Sequence, residues 1–168
     1  MAKTFRGLLG GLFLAALLGL PAVPAQAGPT KNSPFGIGLA VPLNLTPFNI
    51  GLGLSGKYWM NSVNAVDMTL FGGSGWLSLG GDYLWHRYYV FSGEAAKRMP
   101  LYFGPGVNLT SWSAGPYSGA AIAIQGKLGV DYLFKEPFDA YAEATPAINL
   151  TPSVGFGIGL SIGGRWYF

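Results

Sequence analysis

The residues able to do chemistry are few. The chain has one histidine, His86, and no cysteine. Ser78, Asp82 and His86 recur at intervals of four, a spacing that resembles a nucleophile, acid and base set. On an extended strand rising ~3.4 Å per residue, four residues separate neighbours by roughly 13 Å, whereas a nucleophile and its base must approach within ~3 Å. A triad would therefore need a hydroxyl from another strand, such as Ser55 or Ser161. A single histidine without cysteine leaves only scattered carboxylates, so no metal site is expected. The Gly51–Gly53 string is followed by strand rather than helix and is no phosphate loop. Lys97–Arg98 reads as a solvated connection, and no basic patch points to nucleic acid. No catalytic residue, metal or cofactor is expected, and the chain does not read as an enzyme.

A second set is more informative. If strand residues alternate between two faces, Lys57, Asp67, Asp82, His86, Lys127, Asp131, Glu143 and Arg165 share the face opposite the large apolar side chains. Charges gathered on one enclosed face must be paired, because an unpaired buried ion costs several kcal/mol. An ion-pair plug is expected, with Glu143 near Arg165 or Lys127.

The elements that must position such a set follow from composition and period. Only 10% of the residues are charged, half are hydrophobic and 27 are glycine; a soluble domain carries about 25% charged residues. Lys3 and Arg6, the apolar run Leu8 to Leu20, Pro21 and Pro24, and the small-residue site Ala25-Gln26-Ala27 read as an export signal cleaved after Ala27. The run is shorter than the ~20 residues a spanning helix needs. Without Lys3 and Arg6 the formal charge falls from +3 to about +1, so the basic character owes much to the signal. Residues 28–168 contain no apolar run of helix-spanning length. A membrane protein without such helices must satisfy its backbone in a closed β-barrel.

The alternation is clearest at the end of the chain. Val154, Phe156, Ile158, Leu160, Ile162, Gly164, Trp166 and Phe168 fall on one face; Gly155, Gly157, Gly159, Ser161, Gly163, Arg165 and Tyr167 fall on the other. Similar patterns predict strands near 34–42, 50–60, 65–72, 76–89, 101–110, 121–135, 138–150 and 154–168, with turn residues between them. The fold class expected is all-β, an eight-stranded antiparallel up-and-down transmembrane barrel of one domain. Aromatic residues should form two girdles. Phe35, Tyr58, Trp59, Tyr83, Trp85, Tyr88, Tyr89, Tyr102, Phe103, Tyr132, Phe134, Phe138, Tyr141 and Trp166 to Phe168 gather at one end. Phe48, Phe71, Trp76, Trp112 and Tyr117 mark the other.

Terminal Phe168, with Trp166 and Ile162 at alternating positions, resembles the signal read by the outer-membrane barrel insertion machinery. Gly56-Lys57-Tyr58-Trp59, Asp82-Tyr83-Leu84-Trp85-His86, Tyr132-Leu133-Phe134 with Pro137, Glu143-Ala144-Thr145-Pro146 and the closing Gly-Arg-Trp-Tyr-Phe resemble an uncharacterised family of small bacterial outer-membrane barrels. The size is similar to the OmpA/OmpX type. The resemblance implies an outer-membrane location, contact with its lipids, and passage by periplasmic chaperones and the insertion machinery; a monomeric or weakly associated barrel is expected. Some barrels of this size modify lipid A, which keeps a lipid-modifying hydrolase or acyltransferase as the alternative.

Two expectations concern the upper half. Gly51, Gly53, Gly155, Gly157 and Gly159 point inward, beside Gly38 and Ala40, so one wall is nearly bare. That wall either makes room for large residues opposite or leaves a vestibule able to hold a small solute or hydrophobic ligand. Among the surface connections, Trp112 to Ala120 is expected to be a loop whose Trp112 and Tyr117 could anchor a partner.

Overall fold

The computed structural model describes residues 33–45, 48–93, 95–114, 116–134 and 137–168; the expected signal, residues 1–27, lies outside them. The strands are β1 (Phe35–Leu45), β2 (Phe48–Ile50), β3 (Leu52–Trp59), β4 (Asn64–Gly73), β5 (Trp76–Arg87), β6 (Leu101–Ala114), β7 (Tyr117–Leu133), β8 (Phe138–Asn149) and β9 (Gly155–Tyr167). β2 and β3 are one stave. Both lie against β1, and across the Gly51 break the Gly51 N–H still donates to the Pro42 carbonyl at 3.1 Å. Each stave pairs antiparallel with the next in sequence, and β1 closes on β9 from Gly36↔Tyr167 to Asn44↔Gly159. The result is the expected closed eight-stave meander, with no edge left to pair.

The polarity of the sheet is the reverse of a soluble core. On β9 and the residue that follows it, Phe156, Leu160, Ile162, Trp166 and Phe168 are exposed while Ser161, Arg165 and Tyr167 are buried. Leu39, Leu52, Val107, Ile122 and Ile124 extend the apolar band around the outside. Proteins in water rarely expose so much contiguous apolar surface.

Two differences from the expected elements have local causes. β6 and β7 run on past the expected strand ends, pairing Trp112↔Gly119 and Ala114↔Tyr117. The expected Trp112–Ala120 loop therefore shrinks to the short connection between Ala114 and Tyr117. The positions of outward parity there, Ser111, Ser113 and Ser118, carry no apolar side chain, so the apolar alternation ends although the backbone ladder does not. The β4–β5 turn is equally tight, Gly73 pairing with Trp76, and Gly75 takes φ of 81°. That left-handed backbone suits glycine because it lacks a Cβ.

Candidate functional site

Alternation along each stave delivers the polar side chains to the lumen, and the barrel's width decides which of them meet. Arg165 on β9 lies at the centre. Its Nη1 donates to Asp67 Oδ1 and its Nη2 to Asp131 Oδ1, each at 2.8 Å, and its Nε donates to Asp139 Oδ1 at 3.2 Å. The guanidinium carbon stacks 4.1 Å from the Tyr141 ring centroid. Planar guanidinium suits this role because its five donors are fixed in a fork.

Two lysines extend the network. Lys57 Nζ donates to Asp131 Oδ2 at 2.6 Å, contacts His86 Nε2 at 3.2 Å and sits 4.4 Å from the Tyr102 ring centroid. Lys127 Nζ contacts Asp67 Oδ2 at 2.5 Å, Asp82 Oδ2 at 3.0 Å and Glu143 Oε1 at 3.4 Å. The remaining acceptor positions are filled by neutral donors. Gln125 Nε2 donates to Asp82 Oδ1 at 2.7 Å, Tyr102 OH to Glu143 Oε2 at 2.8 Å, and Ser161 Oγ to Glu143 Oε1 at 2.7 Å. Tyr167 OH donates to Asp139 Oδ2 at 2.7 Å and itself accepts from Trp59 Nε1 at 3.3 Å.

All eight residues singled out for the lumen are buried and joined in this one network. Glu143 meets Lys127, while Arg165 takes three aspartates instead. Asp139, Gln125, Tyr102, Tyr141, Tyr167 and Trp59 complete it without having been assigned to it from sequence. Asp139 and Tyr141 share the parity of Glu143, which is the signal for them, but Asp139 lies at the very start of its strand. Trp59, Tyr102 and Tyr141, expected in the girdle, turn inward instead because their parity is that of Lys57, Asn108 and Asp139 on the same strands, and Tyr167 lies inward as its place on the Arg165 face predicts. The rings that do face outward at this end include Trp85 and Phe103, with centroids 5.9 Å apart, and Phe134 and Phe138, 5.3 Å apart.

Above the network the lumen opens into a cavity of about 460 Å³. Phe71, Trp76 and Trp112 line it rather than marking an outer rim. Both expectations for the bare wall apply. Phe71 and Trp76 occupy the space left by Gly53 and Gly51, while Gly157 and Gly159 on β9 border open volume. Trp112 is thus part of a wall and not of a loop, whereas Tyr117 stands exposed at the tip of its hairpin.

No protein-family model matches the sequence, and no curated protein matches it. Solved structures do match. The N-terminal β-barrel domain of Pseudomonas aeruginosa OprF superposes with a TM-score of 0.56 at 16% identity, covering 79% of this chain and 96% of that one. Neisserial surface protein A gives 0.52 at 20% identity, covering 81% and 98%. The fold is that of the small outer-membrane barrels. At these identities the likeness covers chain path and closure alone. The motifs that resembled an uncharacterised family, Gly56–Trp59 and Asp82–His86 among them, match no family model.

In this outer-membrane barrel fold the Ser78, Asp82 and His86 positions diverge to separate partners. Ser78 Oγ donates to Asn108 Oδ1 at 2.9 Å, and Asp82 is held by Gln125 and Lys127. His86 stacks against Trp59 at 4.2 Å and is buried. Its Nδ1 lies 3.3 Å from the Val63 carbonyl, and its Nε2 lies 3.2 Å from Lys57 Nζ and 3.3 Å from Asp131 Oδ2. Held this way, the imidazole is a positioned part of the plug.

Proposed function

We propose that the chain, exported and cleaved after residue 27, is a monomeric integral outer-membrane protein that carries its surface turns on a sealed scaffold and passes no steady current. The observation that carries this reading is the inversion of polarity. Large apolar side chains face outward around the staves while three cationic and five acidic side chains are enclosed and mutually paired. In water the outer band would be an aggregation surface; against acyl chains it is the favourable one. An eight-stranded interior is only wide enough for side chains to fill it, and the Arg165 network fills the lower half. Ile162, Trp166 and Phe168 stand exposed on one face of β9, available to the insertion machinery before lipid covers them.

Cell fractionation tests location. The protein should co-purify with the outer membrane and migrate differently on gels with and without heating; release by osmotic shock would refute the proposal. In planar bilayers it should show no steady conductance. Ile162→Arg separates lipid from water as the outer medium. In a bilayer the arginine should cost about 2–4 kcal/mol if it lies near the midplane, read as a lower urea midpoint for refolding into vesicles. An unchanged midpoint would mean that Ile162 does not face lipid.

A further inference from the structure

We infer that the upper cavity is a recognition site for a neutral sugar ring, free or at the end of a glycolipid. Its volume of about 460 Å³ falls within the ~300–1,000 Å³ of small-ligand sites. The mouth is bordered by the Ser74–Gly75 turn, Trp76 and Trp112, and the floor by Lys127 and Glu143. Charge at that floor is already answered. Lys127 is shared among Asp67, Asp82 and Glu143, and both Glu143 oxygens accept from hydroxyls. An anion finds no spare cation there, and Glu143, the carboxylate that lines the floor, has both oxygens engaged. The occupant that fits is uncharged.

The walls call for a ligand rich in hydroxyl groups. Asn44 Nδ2 donates to Asn49 Oδ1 at 2.8 Å on one side. On the other, Ser78 Oγ donates to Asn108 Oδ1 and accepts from Thr110 Oγ1 at 3.0 Å. These bonds hold the side chains in place before any ligand arrives, which lowers the ordering cost of binding. The Asn108 amide nitrogen has no acceptor among the described residues. A wholly apolar occupant would strip water from such groups without replacing its hydrogen bonds. Sugar hydroxyls both donate and accept, and so replace them.

The two indoles supply the apolar half. They are register partners, Trp76↔Trp112, yet they lean apart. A Cβ on Gly73 would lie 2.4 Å from Trp76 Nε1, and one on Gly119 would lie 2.4 Å from Trp112 Cζ2. Glycine at these positions lets each indole lie along the wall and leaves the mouth clear. Flat aromatic surface beside amides and hydroxyls matches a pyranose, which has C–H faces and a hydroxyl rim.

The experiment needs only the folded full chain in a zwitterionic, sugar-free detergent, so its failure is distinguishable from failure of the membrane reading. Glucose, galactose and N-acetylglucosamine are titrated by tryptophan fluorescence and saturation-transfer NMR, beside glucosamine and glucuronate. At least one neutral ring should saturate with a dissociation constant on the order of 1–10 mM, and its charged congeners should bind about tenfold more weakly. Gly119→Leu, which pushes Trp112 across the mouth, should weaken binding at least about tenfold while heat-modifiable folding persists; if that variant does not fold, Asn108→Ala takes its place with the same expectation. Rough lipopolysaccharide and its deacylated core oligosaccharide separate the two sources. Binding of the core as well as the intact glycolipid identifies the sugar as the bound part, and binding of the intact glycolipid alone overturns the inference. Failure of every neutral ring to saturate, equal binding of charged congeners, or indifference to the folded variant overturns it as well.

Discussion

Arg165→Ala should leave a barrel that refolds poorly or not at all, with a stability loss of about 3–5 kcal/mol or more. The guanidinium bridges Asp67, Asp131 and Asp139 in a site with no exposure to water. Its removal leaves three carboxylates whose remaining cations, Lys57 and Lys127, are already committed to Asp131 and to the Asp67–Asp82–Glu143 group. Native stabilities are commonly about 5–15 kcal/mol, so this one change removes a large share of the total. The measurement is the urea midpoint of refolding into detergent micelles, read by the heat-modifiable band. Arg165→Lys should fall between wild type and alanine, because it keeps the charge and loses the fork. Adding Asp139→Asn to Arg165→Ala should recover part of the loss, because Asp139 is the carboxylate whose ion pair is with Arg165 alone. Equal midpoints for wild type and Arg165→Ala would mean that the network contributes nothing to the fold.

Lys127→Met should turn a silent barrel into one that admits cations. Lys127 is the floor of the cavity and the lid of the network at once, touching Asp67, Asp82 and Glu143. Methionine has similar length and no charge, so Asp82 and Glu143 would be left without a cation beneath the cavity and Asp67 with Arg165 alone. Water entering from above can solvate them in part, which makes the stability loss smaller than for Arg165, on the order of 2–3 kcal/mol. Cations drawn to that acidic ring should give flickering, cation-selective current in planar bilayers where the wild type gives none. Glu143→Gln in the same chain should reduce the selectivity, since one of the three negative charges is gone. A silent variant of unchanged stability would show that Lys127 neither seals the lumen nor balances it.

Period-two alternation sufficed to establish the class of fold and the facing of most side chains. Phe156, Leu160 and Ile162 outward with Ser161 and Arg165 inward is a local property of an extended chain, and turn residues between eight such runs imply a closed meander. Lys57, Asp67, Asp82, His86, Lys127, Asp131, Glu143 and Arg165 could be assigned to the lumen by the same parity. Where positions of outward parity are polar, as at Ser111, Ser113 and Ser118, the alternation loses its contrast and predicts a loop although the β6–β7 ladder continues. The tertiary structure alone decided which lumenal groups meet. Arg165 binds Asp67 across 98 positions of sequence and Asp139 across 26, and nothing local distinguishes those acids from Glu143. Strand tilt, register and barrel diameter choose the partners, and they also decide that the inward rings of Trp59, Tyr102 and Tyr141 fill the lower lumen while a cavity stays open above. Facing depends on one residue's neighbours in the chain, whereas pairing and empty volume depend on where the other staves stand.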